Sequence, residues 1–151
     1  MRLADQNQNA QARWPIVELR YATLPAPLGL VAVHYWFVVF DAEHCKRWEV
    51  WQTKDAGGSS VGHIHCDLKR PDEGVGGGPM RIAQRWAGRD ARAIAEVLEQ
   101  AGTRYPHAQR YLAWPGPNSN TFVAWTLRCA GVRVRLSWKA LGHRYRTRGA
   151  G

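Results

Sequence analysis

The chain has 151 residues, of which 45% are hydrophobic and 22% are charged. This size and balance are typical of one soluble globular domain. The formal net charge of +9 and a pI of about 10.1 favour anionic partners. Because the basic residues are spread along the chain and form no compact nucleic-acid motif, a solvated arginine-rich surface is the better explanation for them. Nucleic acid is therefore not the expected partner, although the charge alone does not exclude it.

The cysteines and the apolar runs indicate in which cellular compartment we expect the protein. Cys45, Cys66 and Cys129 form neither a disulfide framework nor a C-x-x-C metal pattern. Residues 1–14 have no apolar core of the kind a signal peptide needs, and the longest apolar run, 28–40, falls short of the ~18 residues of a spanning helix. We therefore expect a reduced, cytoplasmic protein without a transmembrane segment.

The chain divides into one domain and two tails. Residues 1–12 are polar and rich in Gln and Asn, which predicts a disordered N-terminal tail. Residues 13–145 carry the periodic apolar patterns and are predicted to form a single domain. Residues 146–151 are expected to form a basic C-terminal tail.

The first half of the domain is predicted to be β-structure. Ile16–Tyr21 alternates apolar and polar residues, which predicts a strand with one solvated face. Leu30–Phe40 is rich in β-branched and aromatic residues and predicts a central strand. The alternating run Arg47–Thr53 is expected to form a hairpin with it. Val61–Leu68 predicts a short strand, and a Gly-rich loop follows at 69–79.

The second half is predicted to contain helices followed by a strand. Asp90 is a plausible N-cap for a helix that ends near Ala101, and Gly102 then stops it. A second helix is predicted from about Asn120 to Ala130, and Val132–Trp138 alternates as a final strand. Strands first, then helices, then a strand predict a single α+β domain with a largely antiparallel sheet and two or three helices.

The most distinctive stretch is 111–127, with the sequence YLAWPGPNSNTFVAWTL. Two prolines fix φ around a glycine, and side chains that can cap a helix follow at once. The pattern predicts a sharp entry into a helix with the Ser119 hydroxyl at its N-terminus, where free N–H groups favour negative charge. A nucleophile or an anion-binding hydroxyl would suit this position. An ordinary N-cap without chemistry explains the same residues.

His34 is the first candidate for catalysis. In the predicted hairpin, Glu49 lies nearly opposite His34 on a common face, where its carboxylate would orient the imidazole. Ser119 would then complete a set of nucleophile, base and orienting residue. The alternative is a core histidine that is simply hydrogen-bonded.

Two further candidate sites stay open. His63 and His65 share one strand face, so a divalent metal site is conceivable there, although one short strand rarely supplies enough converging ligands. A polar strand face beside the Gly-rich loop is the alternative. The basic and aromatic segment from Arg133 to Arg148 can contact phosphates or can be a solvated edge. No cofactor is expected.

The segment RYPHAQRYLAWPGPNSNTFVAWTL, with VHYWFVV and WEVW before it and ALGHRY after it, carries a family resemblance. It resembles a bacterial domain family of unknown function over most of residues 15–145, with PGPNSNTF as the signature. More distantly, the layout is similar to circularly permuted papain-like proteins of the NlpC and lecithin:retinol acyltransferase type.

This second resemblance implies a role for each site residue. The papain-like proteins carry a His on an early strand, a polar residue on the next strand and an Asn-Cys pair opening a later helix. His34, Glu49 and the pair Asn118–Ser119 occur in that order, so Ser119 stands where the nucleophilic Cys would be.

Two functions follow from the resemblance. One is a hydrolase or acyl/amide transferase acting on a small-molecule, peptide or acyl substrate, with Asn118 or Asn120 as oxyanion donor. The other is an inactive relative that keeps the cleft to bind an anionic ligand or partner.

Overall fold

A computed structural model describes residues 15–146 of the chain. Its centre is a five-stranded antiparallel sheet, which confirms the predicted α+β class. In spatial order the strands run β4-β3-β2-β1-β5. Their bounds are Ile16–Thr23 for β1, Val33–Phe40 for β2, Cys45–Val50 for β3, Ile64–Cys66 for β4 and Arg81–Trp86 for β5.

Three helices accompany the sheet in the described residues. Helix α1 spans Gly88–Glu99, the single turn α2 spans Ala101–Arg104, and α3 spans Ser119–Cys129. A 3₁₀ turn at Leu28–Leu30 precedes β2. The predicted N-cap Asp90 instead lies inside the first turn of α1, and Ala87 occupies the N-cap position.

The main core lies between the helices and one face of the sheet. Every second residue along the strands points into this core. Leu19, Phe37 and Val50 are examples, and they are fully or almost fully buried. Ile94 and Phe122 meet them from α1 and α3. This burial of apolar surface is the main stabilising contribution that the sequence pattern allows.

The opposite face of the sheet is also buried, and this corrects the prediction of a solvated face on β1. Glu18 and Arg20 are less than a tenth exposed. The irregular segment that follows β4, residues 67–80, covers them, and the Pro71 carbonyl accepts hydrogen bonds from Arg20 Nη1 at 2.9 Å and from Trp36 Nε1 at 3.3 Å. Glu18 accepts from Arg20 Nε at 2.8 Å, so both charges are paired. The sequence shows the apolar–polar alternation of β1, but it does not show that another segment packs over the polar face.

The hairpin of β2 and β3 is confirmed. Phe37 pairs with Trp48 and Phe40 pairs with Cys45. In this register the position opposite Glu49 is Trp36, and His34 follows on the same face one diagonal step away. The predicted common face for His34 and Glu49 is therefore present.

One predicted strand is absent, and one observed strand was not predicted. Val132–Trp138 is not a strand, because its apolar residues pack onto the main core and the segment lies against the sheet without pairing to it. Arg81–Trp86, which was left without a prediction, forms the edge strand β5 beside β1. Five of its six residues are exposed, so it lacks the apolar alternation from which a strand is predicted.

The remaining predictions concern the two tails of the chain and a membrane-spanning segment. The predicted tail 1–12 lies outside the described residues, as does all but the first residue of the predicted tail 146–151. Within residues 15–146, no helix combines the length and the apolar character required to cross a membrane.

A pair of isoleucines tests the assignment of core and edge. Ile94 is fully buried in α1, whereas Ile82 on β5 is 52% exposed. We expect Ile94→Ala to lower the free energy of unfolding by about 2–4 kcal/mol because it leaves a cavity. Ile82→Ala should change it by no more than about 0.5 kcal/mol. Urea denaturation of both variants measures this, and equal effects would contradict the fold described here.

Candidate functional site

The start of α3 is built by a reciprocal capping box. The Asn118 Oδ1 atom accepts from the backbone N–H of Asn120 at 3.0 Å and of Thr121 at 3.3 Å. In return, Thr121 Oγ1 accepts from the Asn118 backbone N–H at 3.1 Å. The first free N–H groups of the helix are thus mostly satisfied by its own cap.

The loop before α3 leaves no room for a side chain at Gly116. Its φ is +120°, a conformation that favours glycine. A Cβ atom there would lie 2.9 Å from Thr121 Oγ1 and 3.1 Å from Tyr145 Cβ. The glycine between the two prolines is therefore required for the chain to turn this closely around the helix start.

Asn120 fastens the start of α3 to β2. Its Oδ1 accepts from the Tyr35 backbone N–H at 3.2 Å, and its Nδ2 donates to the Val33 carbonyl at 2.9 Å. The second Nδ2 hydrogen goes to the Leu141 carbonyl at 3.0 Å. Val33 and Tyr35 are the two neighbours of His34, so the N-terminus of α3 adjoins the backbone that carries this histidine.

His34 and Glu49 form a direct pair on the face of the sheet opposite the main core and α3. His34 Nε2 lies 2.9 Å from Glu49 Oε2, and the imidazole stacks on Trp51 with ring centroids 4.3 Å apart. The His34 side chain is 6% exposed and that of Glu49 is fully buried. His34 Nδ1 has no hydrogen-bond partner within residues 15–146.

Arg47 completes this pair on the same face. Its Nη2 donates to Glu49 Oε2 at 2.9 Å, and its Nε lies 2.8 Å from Glu49 Oε1 in a geometry too bent for a hydrogen bond. Its Nη1 donates to the carbonyls of Arg70 at 2.7 Å and of Glu73 at 2.6 Å. The guanidinium also lies 4.1 Å from the centre of the Trp36 ring. Glu49 is therefore a buried carboxylate with a fixed counter-charge.

These contacts determine the protonation of the pair. Burial lowers the pKa of His34, and the hydrogen bond to Glu49 opposes this without overcoming it. Burial alone would raise the pKa of Glu49, but the hydrogen bond from His34 and the charge of Arg47 lower it overall. At neutral pH the pair is a neutral imidazole beside a carboxylate, so Nε2 carries the proton and donates it to Glu49. Nδ1 then holds a lone pair available as a base.

Ser119 is the first residue of α3 and is nearly buried. Within the described residues its hydroxyl makes no hydrogen bond, so it is not joined to His34. Its backbone N–H is also unbonded there, because Asn118 caps only the next two N–H groups. A hydroxyl and a free N–H thus occur on the same residue at a helix N-terminus.

Comparison with protein-family models assigns the chain to a family. The model of the family described as "Protein of unknown function (DUF3750)" matches residues 15–145. The chain belongs to this family. The expectation of a family of unknown function is confirmed. No curated protein and no solved structure matches the chain.

The histidines proposed as metal ligands have other partners in the DUF3750 domain. His63 Nδ1 lies 2.9 Å from the Trp51 carbonyl, and His65 Nε2 lies 2.9 Å from the Thr53 carbonyl. The remaining nitrogen of His65, Nδ1, is 2.7 Å from Ser60 Oγ. Within residues 15–146, no group of three or more His, Cys, Asp or Glu side chains is arranged to hold a metal ion.

The side-chain amides of Asn118 and Asn120, predicted as oxyanion donors, donate to backbone carbonyls in the structure. Both amide hydrogens of Asn120 are bonded to carbonyls, and Asn118 Nδ2 donates to the Ala113 carbonyl at 3.0 Å. The sequence analysis also missed Arg47. Its separation of two residues from Glu49 on an alternating strand places both on one face, and this was the available signal.

The Asn120 contacts can be tested by stability. Asn120→Ala removes three hydrogen bonds and leaves the buried Tyr35 N–H and Val33 carbonyl without their partner. We expect the free energy of unfolding to fall by about 3 kcal/mol or more. The exposed Gln84→Ala variant is the control and should change it by no more than about 0.5 kcal/mol. A small effect at Asn120 would mean that α3 is held to β2 by other contacts.

The neutral His34 predicts a specific pH dependence. An unfolded His34 binds a proton near its ordinary pKa of 6.5, whereas the folded one binds it only at lower pH. Below that value the unfolded chain holds more protons. The contribution of His34 is therefore fully present above about pH 6.5 and is lost as the pH falls, by at most about 1.4 kcal/mol per pH unit.

Chemical denaturation at several pH values measures this effect. The decrease in the free energy of unfolding between about pH 7 and pH 5 should be smaller in His34→Gln than in the unmodified protein. His44→Gln, which removes an exposed imidazole, serves as the control. Identical slopes for the protein and His34→Gln would show that His34 is not held neutral.

Proposed function

We propose that the DUF3750 domain is a hydrolase or acyl/amide transferase in which Ser119 is the nucleophile, His34 the general base and Glu49 the residue that orients it. The observation that carries the proposal is the pair of hydrogen bonds at Asn120: its Nδ2 donates to the Val33 carbonyl, and its Oδ1 accepts from the Tyr35 backbone N–H. They join the N-terminus of α3 to the backbone on both sides of His34. The His34–Glu49 pair lies on the face of the sheet opposite the main core, so in this proposal Ser119 approaches His34 at the edge of β2.

The protonation of the pair supports the role of base. With Nε2–H donated to Glu49, the imidazole is held in the tautomer whose Nδ1 can accept a proton. A lowered pKa keeps His34 neutral at physiological pH, which a general base requires. Arg47 keeps Glu49 ionised and is a positioning residue, since it reaches the imidazole only through that carboxylate.

The reaction follows from these groups. The Ser119 hydroxyl attacks a carbonyl carbon while its proton passes to His34 Nδ1, and the backbone N–H of Ser119 donates to the oxygen that becomes negative. His34 returns the proton to the leaving alcohol or amine, which leaves an acyl-Ser119 ester. Water or a second acceptor then attacks this ester, with His34 again taking the proton, and Ser119 is regenerated.

The permuted papain-like layout belongs to the same proposal. The order of a strand histidine, a polar residue on the next strand and an Asn-Ser pair opening a helix is the support for it, together with the antiparallel sheet and the helix that packs on it. In this proposal a serine replaces the thiol nucleophile of the papain-like group, so the activity depends strongly on the base.

A second candidate is a binding module without chemistry, acting on an anionic ligand or partner. The observation that favours it is the missing hydrogen bond between Ser119 and His34 in residues 15–146. The net charge of +9 supports an anionic ligand. Catalytic hydrogen bonds are often long before a substrate binds, so the missing hydrogen bond does not decide between the two candidates. An experiment on the same protein can decide.

Labelling with a panel of serine-directed fluorophosphonates separates the two candidates. We expect the protein to be labelled, Ser119→Ala to lose all labelling, and His34→Gln to react at least about 100-fold more slowly. His34→Gln retains a donor for Glu49, so it should fold. The exposed Ser59→Ala variant is the control and should react normally. The rate should decrease as the pH falls through the lowered pKa of His34.

Two outcomes contradict the catalytic proposal. One is labelling that survives Ser119→Ala. The other is no labelling of the folded protein by any probe of the panel, which would favour the binding module. Circular dichroism and the unfolding midpoint establish folding for each variant.

A further inference from the structure

A groove lies beside α3, away from the His34–Glu49 pair. Its first part has a volume of about 670 Å³ and runs between the C-terminal half of α3 and the extended segment 132–138. Its second part, of about 390 Å³, lies against the loop before α3 and residues 141–145. Both parts are lined by Trp138, His143 and Arg144, so they adjoin. Each volume is in the range of ordinary ligand pockets.

The first part of the groove is basic. Arg133, Arg135 and Arg144 line it, and none of them has an ion pair within residues 15–146. No acidic side chain lines either part among the described residues. The groove therefore concentrates the positive charge of Arg133, Arg135 and Arg144, for which residues 15–146 supply no carboxylate partner.

The rest of the lining is apolar. Val132, Val134 and Leu136, which alternate with Arg133 and Arg135 along the segment, also line the first part of the groove. Trp114 and Trp138, which are 69% and 68% exposed, line the second part together with Pro115, Leu141 and Tyr145. Two exposed indoles on one groove are unusual for a surface that only faces water.

We propose that this groove binds an amphiphilic anion, that is, a molecule with a phosphate, sulfate or carboxylate head and one apolar chain. Arg133, Arg135 and Arg144 would pair with the head through charge-assisted hydrogen bonds, and the chain would lie along Trp138 and Trp114. The proposal names a site and a ligand class, and it does not depend on a reaction at Ser119.

The apolar lining decides against two simpler ligands. A free inorganic anion would use the arginines and leave the two tryptophans without a role. A single-stranded nucleic acid would use both, but it needs a charged track along its backbone, and the second part of the groove is mainly apolar and aromatic. Charge at one end and apolar surface at the other match an amphiphile best.

Isothermal titration calorimetry with dodecyl phosphate, below the concentration at which it forms micelles, tests the proposal. We expect saturable binding of one molecule per chain. Butyl phosphate has the same head with a short chain, and dodecyl maltoside has the same chain with a neutral head. Both should bind at least about tenfold more weakly than dodecyl phosphate.

Variants assign the two ends of the ligand. Arg133→Gln combined with Arg135→Gln should weaken dodecyl phosphate about tenfold and leave dodecyl maltoside unchanged. Trp138→Ala should weaken both dodecyl compounds. The matched controls are Arg81→Gln combined with Arg89→Gln, which removes two exposed arginines elsewhere, and Ile82→Ala. All of these positions are solvent-exposed, so the variants should fold.

Several outcomes overturn the proposal. Equal affinity for inorganic phosphate and dodecyl phosphate would indicate a simple anion site, and tighter binding of a 12-nucleotide single strand would indicate a nucleic-acid site. Absence of saturable binding, or affinity that does not respond to the paired arginine variant, would exclude the groove. Because the assay measures binding without a reaction, its result is independent of the labelling of Ser119.

Discussion

The side-chain amide of Asn120 joins the parts of this protein that matter most. Strand β2 extends beyond its pairing with β3, so the backbone groups of Val33 and Tyr35 on that edge have no strand partner. Buried backbone groups must be paired, and Asn120 supplies both a donor and an acceptor there. The Lys139 carbonyl accepts the Val33 N–H at 3.0 Å. The edge of one strand is thereby completed by a helix start and a loop.

This arrangement has a consequence for chemistry. Because α3 begins where β2 lacks a partner, its first residue adjoins a strand that carries a buried histidine. On the face beneath, the charges of Arg47 and Glu49 compensate each other, and the carboxylate holds the imidazole. A buried ion pair of this kind costs desolvation and adds little net stability. We infer that its value to the protein is to fix the orientation and the tautomer of His34.

The sequence predicted the parts of this arrangement that depend on short-range pattern. The hairpin, the common face of His34 and Glu49, and the helix after Asn118 follow from alternation, apolar spacing and capping residues, and the structure has all three. It did not predict β5, which is exposed and polar, or the unpaired state of 132–138, whose alternation is that of a strand. Both depend on which neighbour each segment meets, and periodicity within one segment carries no information on that.

The sequence by itself therefore determined the α+β class, the antiparallel hairpin and the sharp entry into α3, because each depends on the local conformational preferences of nearby residues. The tertiary structure alone decided which polar side chains are buried and which groups they meet. The sequence makes Asn120 a candidate oxyanion donor, whereas in the folded domain its Nδ2 donates to the carbonyls of Val33 and Leu141. The partner of Glu49, the cover over Glu18 and the groove beside α3 likewise arise from residues distant in the chain, whose meeting depends on the packing of the whole domain.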